Sequence, residues 1–237
     1  MEIQDKVVLI TGASAGIGLV TARRFAEAGA KLALVARSGD LLAKLHDELM
    51  EQGIESIAIT ADLREPADIK RAVNQTVQYF GHVDILINNA GQAAAGTVAE
   101  VNPDDFRQII DLNIFGPLLL MQAVIPIMRE HGGGIIINVS SMVSKMHIPS
   151  LSAYAATKSA LNMISDTARV ELAPENIRVI SVFPRLTATD FQKNSLSSSI
   201  HRRLTSNSPM PADTPDLVAE KILNAAINEP EEQYMTD

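Results

Sequence analysis

The chain has 237 residues, 46% of them hydrophobic and 20% charged, which is enough to bury one sizeable core and too apolar for disorder over most of its length. A formal net charge of −8 with no basic run argues against nucleic acid as a main partner. The absence of cysteine excludes a disulfide framework and a thiolate metal site, and the five histidines are scattered without metal-ligand spacing.

The N-terminal stretch MEIQDKVVLITG enters an apolar run at once, with no basic leader before it. The segments IFGPLLLMQAVIPIM and GIIINV are too short or too interrupted to span a bilayer. The expectation is a soluble cytoplasmic protein without a membrane partner. Short β-branched runs at 7–10, 32–35, 57–59, 85–87, 135–139 and 179–183 predict strands. Amphipathic segments at 17–28, 40–52, 66–80, 103–130 and 152–173 predict the helices between them. Strands that are apolar throughout, rather than alternating, predict a sheet covered on both faces. Strands separated by helix-length segments predict βαβ units. The fold class is therefore α/β: a single Rossmann-type, doubly wound parallel sheet flanked by helices on both faces, forming one domain over 1–237. A Ser-, Thr- and Pro-rich stretch at about 185–214 breaks the pattern and is expected to be a substrate loop. A last helix at about 215–228 starts at Thr214-Pro215, and the tail EPEEQYMTD can add a short edge strand.

Chemistry-bearing residues gather at the carboxyl ends of these strands, where open parallel sheets bind ligands. The first strand ends in TGASAGIG, whose glycines Gly12, Gly16 and Gly18 permit a tight turn and close backbone approach to a pyrophosphate. The fourth strand ends in Asn88-Asn89-Ala90-Gly91, the fifth runs into Ser140-Ser141 and the sixth into Pro184. Tyr154 and Lys158 stand four apart in a helical pattern, hence on one helix face. An ammonium beside a phenol favours the phenolate and lowers its pKa toward working pH. A phenol tuned in this way can exchange a proton with a carbonyl or alcohol oxygen.

Taken in order, TGxxxGxG, NNAG, an Asn in the fourth helical segment, Ser and YxxxK make the chain resemble the classical short-chain dehydrogenase/reductase family. The likeness runs from the glycine turn to about residue 190. It implies that Tyr154 is the general acid in reduction and the base in oxidation. Lys158 would lower the pKa of Tyr154 and bind the nicotinamide ribose. Ser141 would polarise the substrate oxygen, with Ser140 the second-ranked neighbour, and Asn113 would hold a proton-relay water. It further implies cofactor contacts from Gly12, Ser14, Gly16, Ile17, Gly18, Asp62, Leu63, Asn89, Ala90, Gly91, Pro184 and Thr189, besides Tyr154 and Lys158.

One departure is Arg185, which stands where the family has Gly in a PGxxxT motif, so the backbone there is expected either not to be left-handed or to take a different course over 186–189. Another concerns the second strand, which ends in Ala36-Arg37-Ser38 instead of an acidic residue. A carboxylate there would hold a ribose 2′-hydroxyl, whereas Arg37 offers a planar fork for a 2′-phosphate. NADP(H) is thus expected over NAD, with Arg37 and Ser38 as further cofactor contacts. The expected reaction is reversible hydride transfer between the nicotinamide and a ketone or secondary alcohol. A 3-oxoacyl compound or another small apolar carbonyl would suit Met142, Val143, Met146 and Ile148. The alternatives are a non-catalytic NADP-binding sensor or scaffold and a sugar-nucleotide epimerase. The family resemblance also implies a homotetramer or dimer formed partly through 103–130 and 152–173.

Overall fold

The computed structural model describes residues 1–191, 194–196 and 212–235. The strands are β1 Val7–Thr11, β2 Lys31–Ala36, β3 Ser56–Thr60, β4 Ile85–Asn88, β5 Gly134–Val139, β6 Ile177–Phe183 and β7 Glu232–Tyr234. They form one sheet in the order β3-β2-β1-β4-β5-β6-β7, with every pairing parallel. The helices are α1 Gly16–Glu27, α2 Gly39–Glu51, α3 Pro66–Phe80, α4 Pro103–Ile110, α5 Gly116–Glu130, α6 Ser152–Leu172 and α7 Pro215–Asn228.

The two-sided burial of the strands explains their unbroken apolar runs. Val8 and Ile10 of β1 enter one cluster with Phe25 of α1, Leu42 and Leu45 of α2, and Ile222 of α7. Leu9, between them, points the other way into a cluster with Val73 of α3, Val124 of α5 and Leu172 of α6. Successive strand residues face opposite sides, so the central strands, covered on both faces, carry apolar side chains at nearly every position. Strand order reverses between β1 and β4, and this switch point opens the crevice in which such sheets hold ligands.

The expected helix over 103–130 is not one α-helix. It comprises α4, a π-helical turn at Asp111–Phe115, and α5. Pro117 has no N–H to give to the ladder, and Gly116 lies so close to the backbone that a Cβ there would stand 3.0 Å from the Leu63 carbonyl oxygen. This 28-residue stretch has the length and mean hydropathy of a membrane span. Its Ile109, Leu120, Met121, Val124 and Met128 are nonetheless buried against the rest of the domain. The acidic tail does add an edge strand: β7 pairs with β6, and Tyr234 stacks on Phe183 at 4.9 Å between ring centroids.

Candidate active site

The glycine turn has the geometry its spacing predicts. Gly12 and Gly16 have φ of +67° and +54°, conformations that favour glycine. A Cβ on Gly18 would sit 2.2 Å from the Gly12 carbonyl oxygen, so the helix start can approach the strand only without a side chain. The N-cap Ala15 offers no side-chain cap, and the first turn of α1 holds no acidic residue. The first N–H groups of α1 and its positive dipole end thus suit a pyrophosphate, and the donor set fits a dinucleotide. Ser14 is partly exposed in the turn, and Ile17 packs against the core beneath it.

Thr11 ties this turn to the NNAG segment, a role that the sequence reading missed. Its hydroxyl donates to the Ile87 carbonyl at 3.1 Å and accepts from the Asn89 and Ala90 N–H groups at 3.0 and 3.1 Å. The Asn89 amide donates to the Thr11 carbonyl at 2.9 Å. Asn88 braces the sheet: it donates to Asn138 at 2.8 Å, and Asn138 donates to Ser165 at 2.8 Å.

Beyond this, four elements converge. A Cβ on Gly91 would lie 3.3 Å from Asn113 Oδ1 and 3.5 Å from Lys158 Nζ, which brings the fourth strand's end, the π-turn and α6 together. Asn113 is fully buried. It accepts from the Gln92 N–H at 3.0 Å and donates to the Gln92 carbonyl at 2.8 Å and to Thr157 at 3.0 Å. Lys158 Nζ donates to the Val139 carbonyl at 2.8 Å and lies 6.0 Å from the centroid of the Tyr154 ring. Tyr154 and Ser141 are both buried, and Ser141 lies near enough to the phenol to act on its pKa.

Electrostatics run against one expectation. Burial pushes the Tyr154 phenol up from 10.0 to about 12, and Ser141 offsets this only in part. Burial also brings the Lys158 ammonium down from 10.5 to about 8. The expected lowering of the Tyr154 pKa by Lys158 is therefore not met in this geometry. The ammonium is directed at a backbone carbonyl, and desolvation dominates both groups.

A buried polar relay braces the serines, and the sequence reading did not find it. Asn162 accepts from the Ser140 hydroxyl at 2.5 Å and donates to Ser144 at 2.9 Å, and Ser144 donates to the Ser141 carbonyl at 2.6 Å. Asn162 stands eight residues after Tyr154, on the same face of α6, which was the available signal.

Where the likeness implies the adenine, Arg37 and Ser38 are exposed beyond β2. Ser38 is the N-cap of α2 without a side-chain cap bond, so its hydroxyl is not spent on the helix. Asp62 is gripped by Arg64 through bonds of 3.0 and 2.6 Å, a second partner the sequence did not reveal. That grip, with the more distant Arg37, holds the Asp62 carboxyl below its ordinary range. The Leu63 side chain belongs to the core, which leaves its backbone for any ligand contact.

Where the likeness implies the nicotinamide, the Pro184 carbonyl accepts from the Met142 N–H at 2.9 Å. Thr189 packs on the glycine turn, 3.3 Å from where a Gly16 Cβ would be. Between the start of α1 and residues 186–190 lies a cleft of about 650 Å³. Residues 92–95, just past the fourth strand, are covered by 194–196: the Leu196 N–H donates to the Ala93 carbonyl at 2.9 Å, and Leu196 packs against the cluster of Ala94, Ile109 and Ala153. Phe191 lies 5.7 Å from the Tyr154 ring. The rest of the expected substrate loop, 192–193 and 197–211, lies outside the described residues.

Known proteins resemble this chain in sequence and in fold. The short chain dehydrogenase family model matches residues 6–199. The "Dehydrogenase/reductase SDR family member 7B" of Bos taurus is 35% identical over 202 residues, which cover 83% of this chain and 62% of that protein. Among solved structures, a short-chain dehydrogenase from Sphingobium yanoikuyae in complex with NADPH is 32% identical. Its TM-score is 0.87, over 98% of this chain and 88% of that one. A 3-ketoacyl-(acyl-carrier-protein) reductase from Brucella melitensis complexed with NADH is 31% identical, with a TM-score of 0.84 over 94% and 91% of the two chains. The chain belongs to the short-chain dehydrogenase family of oxidoreductases.

Proposed function

We propose that the chain catalyses reversible transfer of a hydride between NADP(H) and a carbonyl or secondary alcohol of a small, largely apolar substrate. The observation that carries this reading is the meeting of Ser141, Tyr154, Lys158, Asn113 and Gly91 at the carboxyl edge of the sheet, beside an uncapped glycine turn. A nicotinamide cofactor bound along that edge supplies or accepts the hydride.

The chain's own residues handle the proton and the positioning. Tyr154, with its pKa near 12, keeps its proton at neutral pH and gives it to the developing alkoxide during reduction. Ser141 hydrogen-bonds the same substrate oxygen, held by the Asn162 relay. Lys158 keeps a positive charge near the phenolate that results, and Asn113 fixes the Gln92 backbone and Thr157 around it. In oxidation Tyr154 must first lose its proton, so that direction is favoured by higher pH. A purely structural or sensing role leaves this set of buried polar residues without a purpose.

Three observations support NADP(H). Arg37 is exposed, Ser38 has a hydroxyl not spent on the helix cap, and Arg64 pairs with Asp62, so that this carboxylate is already engaged. The related structures carry either cofactor, so the preference rests on these residues. Phe115, Met163 and Val170 are exposed on the paired long helical segments, which supports a homo-oligomer. The NADH-complexed relative acts on a 3-ketoacyl group, and a 3-oxoacyl compound is one candidate here. The test is a panel of ketones, 3-oxoacyl thioesters and ketosteroids, followed by NADPH absorbance with NADH in parallel. Oxidation of neither cofactor by any member would sink the reading.

A further inference from the structure

Arg185 stands where the family likeness has glycine. It is absent from the residues with left-handed backbone, so the chain leaves β6 without the conformation that glycine would favour. Its side chain has another use. Nε and Nη2 donate to the two carboxylate oxygens of Asp213 at 3.0 and 2.6 Å, across 28 residues of chain. The Asp213 side chain is 5% exposed, so this carboxylate depends on its partner.

The backbone is pinned at the same place. The Asp213 N–H donates to the Leu186 carbonyl at 2.7 Å, and the Ala188 N–H donates to the Asp213 carbonyl at 2.9 Å. Thr187 and Asp213 form an isolated parallel bridge. Thr214 then caps α7, accepting from Leu217 at 3.2 Å, and α7 packs along α1, whose first turn faces the cleft. The clasp therefore joins the exit of β6 to the helix that supports the glycine turn. Thr189, one residue past the pinned segment, closes on Gly16.

We infer that Arg185 and Asp213 are positioning residues that hold Leu186–Thr189 against the glycine turn for the nicotinamide end of the cofactor. The inference rests on the proposed function. A bidentate pair fixes both distance and plane, and a buried carboxylate that loses its arginine is left unpaired and must turn toward water. That movement frees the 186–188 pairing and loosens one wall of the cleft. The adenine end, at Arg37, Asp62 and Arg64, lies on the other half of the sheet and does not depend on the clasp.

The experiment compares each reduced cofactor with the same molecule lacking its nicotinamide: NADPH against 2′-phospho-ADP-ribose, and NADH against ADP-ribose. Arg185→Ala should weaken the intact cofactor by about tenfold or more and leave the truncated one within about twofold. The more conservative Asp213→Asn, which keeps the shape, should show the same split should Arg185→Ala fold poorly. Arg185→Ala combined with Asp213→Ala should lose no more than either alone, because the pair acts as a unit. Equal losses for intact and truncated ligands would mean a general structural role and would overturn the inference, as would additive losses or unchanged affinities. Wild-type protein that binds neither cofactor would overturn the proposed function and this inference together. Wild-type binding without the split in the variants would overturn this inference alone.

Discussion

Arg37→Ala isolates the choice of cofactor. Arg37 is exposed, and none of the ion pairs among the described residues involves it; its charge reaches Asp62 only through space. Removing it therefore deletes no folded-state partner, and stability should stay within about 0.5 kcal/mol of wild type. The energetic consequence falls on the ligand. A charge-assisted hydrogen bond to a 2′-phosphate contributes about 1.5–3 kcal/mol, or roughly tenfold to a hundredfold in affinity. Asp62 does not cancel this, because Arg64 already holds its carboxylate. NADPH should thus bind roughly tenfold to a hundredfold more weakly to Arg37→Ala, while NADH changes by about twofold at most. The gap should narrow at high salt, since the site is exposed and screened. Titration of both reduced cofactors by fluorescence, on both proteins and at two salt concentrations, measures each term. Equal losses for NADPH and NADH would refute the phosphate contact, and so would an unchanged NADPH affinity.

Three further outcomes are expected. Asn162→Ala should lower kcat by about tenfold or more with little change in cofactor affinity, because it frees the Ser140–Ser144 relay that holds Ser141; steady-state kinetics that show only a KM change would count against it. Asn138→Ala should destabilise by about 2–4 kcal/mol in chemical denaturation, since it leaves a second polar atom of Asn88 unpaired beside the already unpartnered Oδ1 and opens a cavity; a smaller loss would mean that water reaches Asn88. The pH dependence of stability carries a signature of Lys158. Its folded pKa is about 8 against 10.5 unfolded, so between those values the unfolded chain binds more protons and stability rises with pH. Tyr154, raised to about 12, contributes the opposite slope above about pH 10. Lys158→Met should flatten the rise between pH 8 and 10.5, and an unchanged slope would place that titration elsewhere.

Much of the fold was legible because both faces of the sheet are buried. Val8, Leu9 and Ile10 must all be apolar to serve two opposite clusters, and that run is visible without a structure. The glycine turn was legible for a similar reason: the Gly18 position tolerates no Cβ, so the sequence leaves no choice there. What stayed hidden depended on contacts remote in the chain. The grip of Arg64 on Asp62 is a local pair, but its meaning depends on Arg37 arriving from another strand. Arg185 could be seen as a departure, while its partner Asp213 lies 28 residues on in a stretch without periodicity. The π-turn at Asn113 looks like continuous helix by spacing, since one extra residue in a turn barely disturbs the apolar pattern. The direction of the Tyr154 shift was misjudged because helical spacing gives proximity to Lys158 but says nothing of burial or of where the ammonium points.

Tyr154→Phe removes one oxygen atom and tests the central claim most directly. The reduction of an accepted carbonyl substrate would be followed by cofactor absorbance, with cofactor binding titrated on the same samples. Turnover should fall by about 10²–10⁴-fold, the usual contribution of a positioned general acid, while cofactor affinity stays within about twofold of wild type. Near-normal kcat in Tyr154→Phe, with cofactor still bound, would contradict the assignment of Tyr154 as the proton donor.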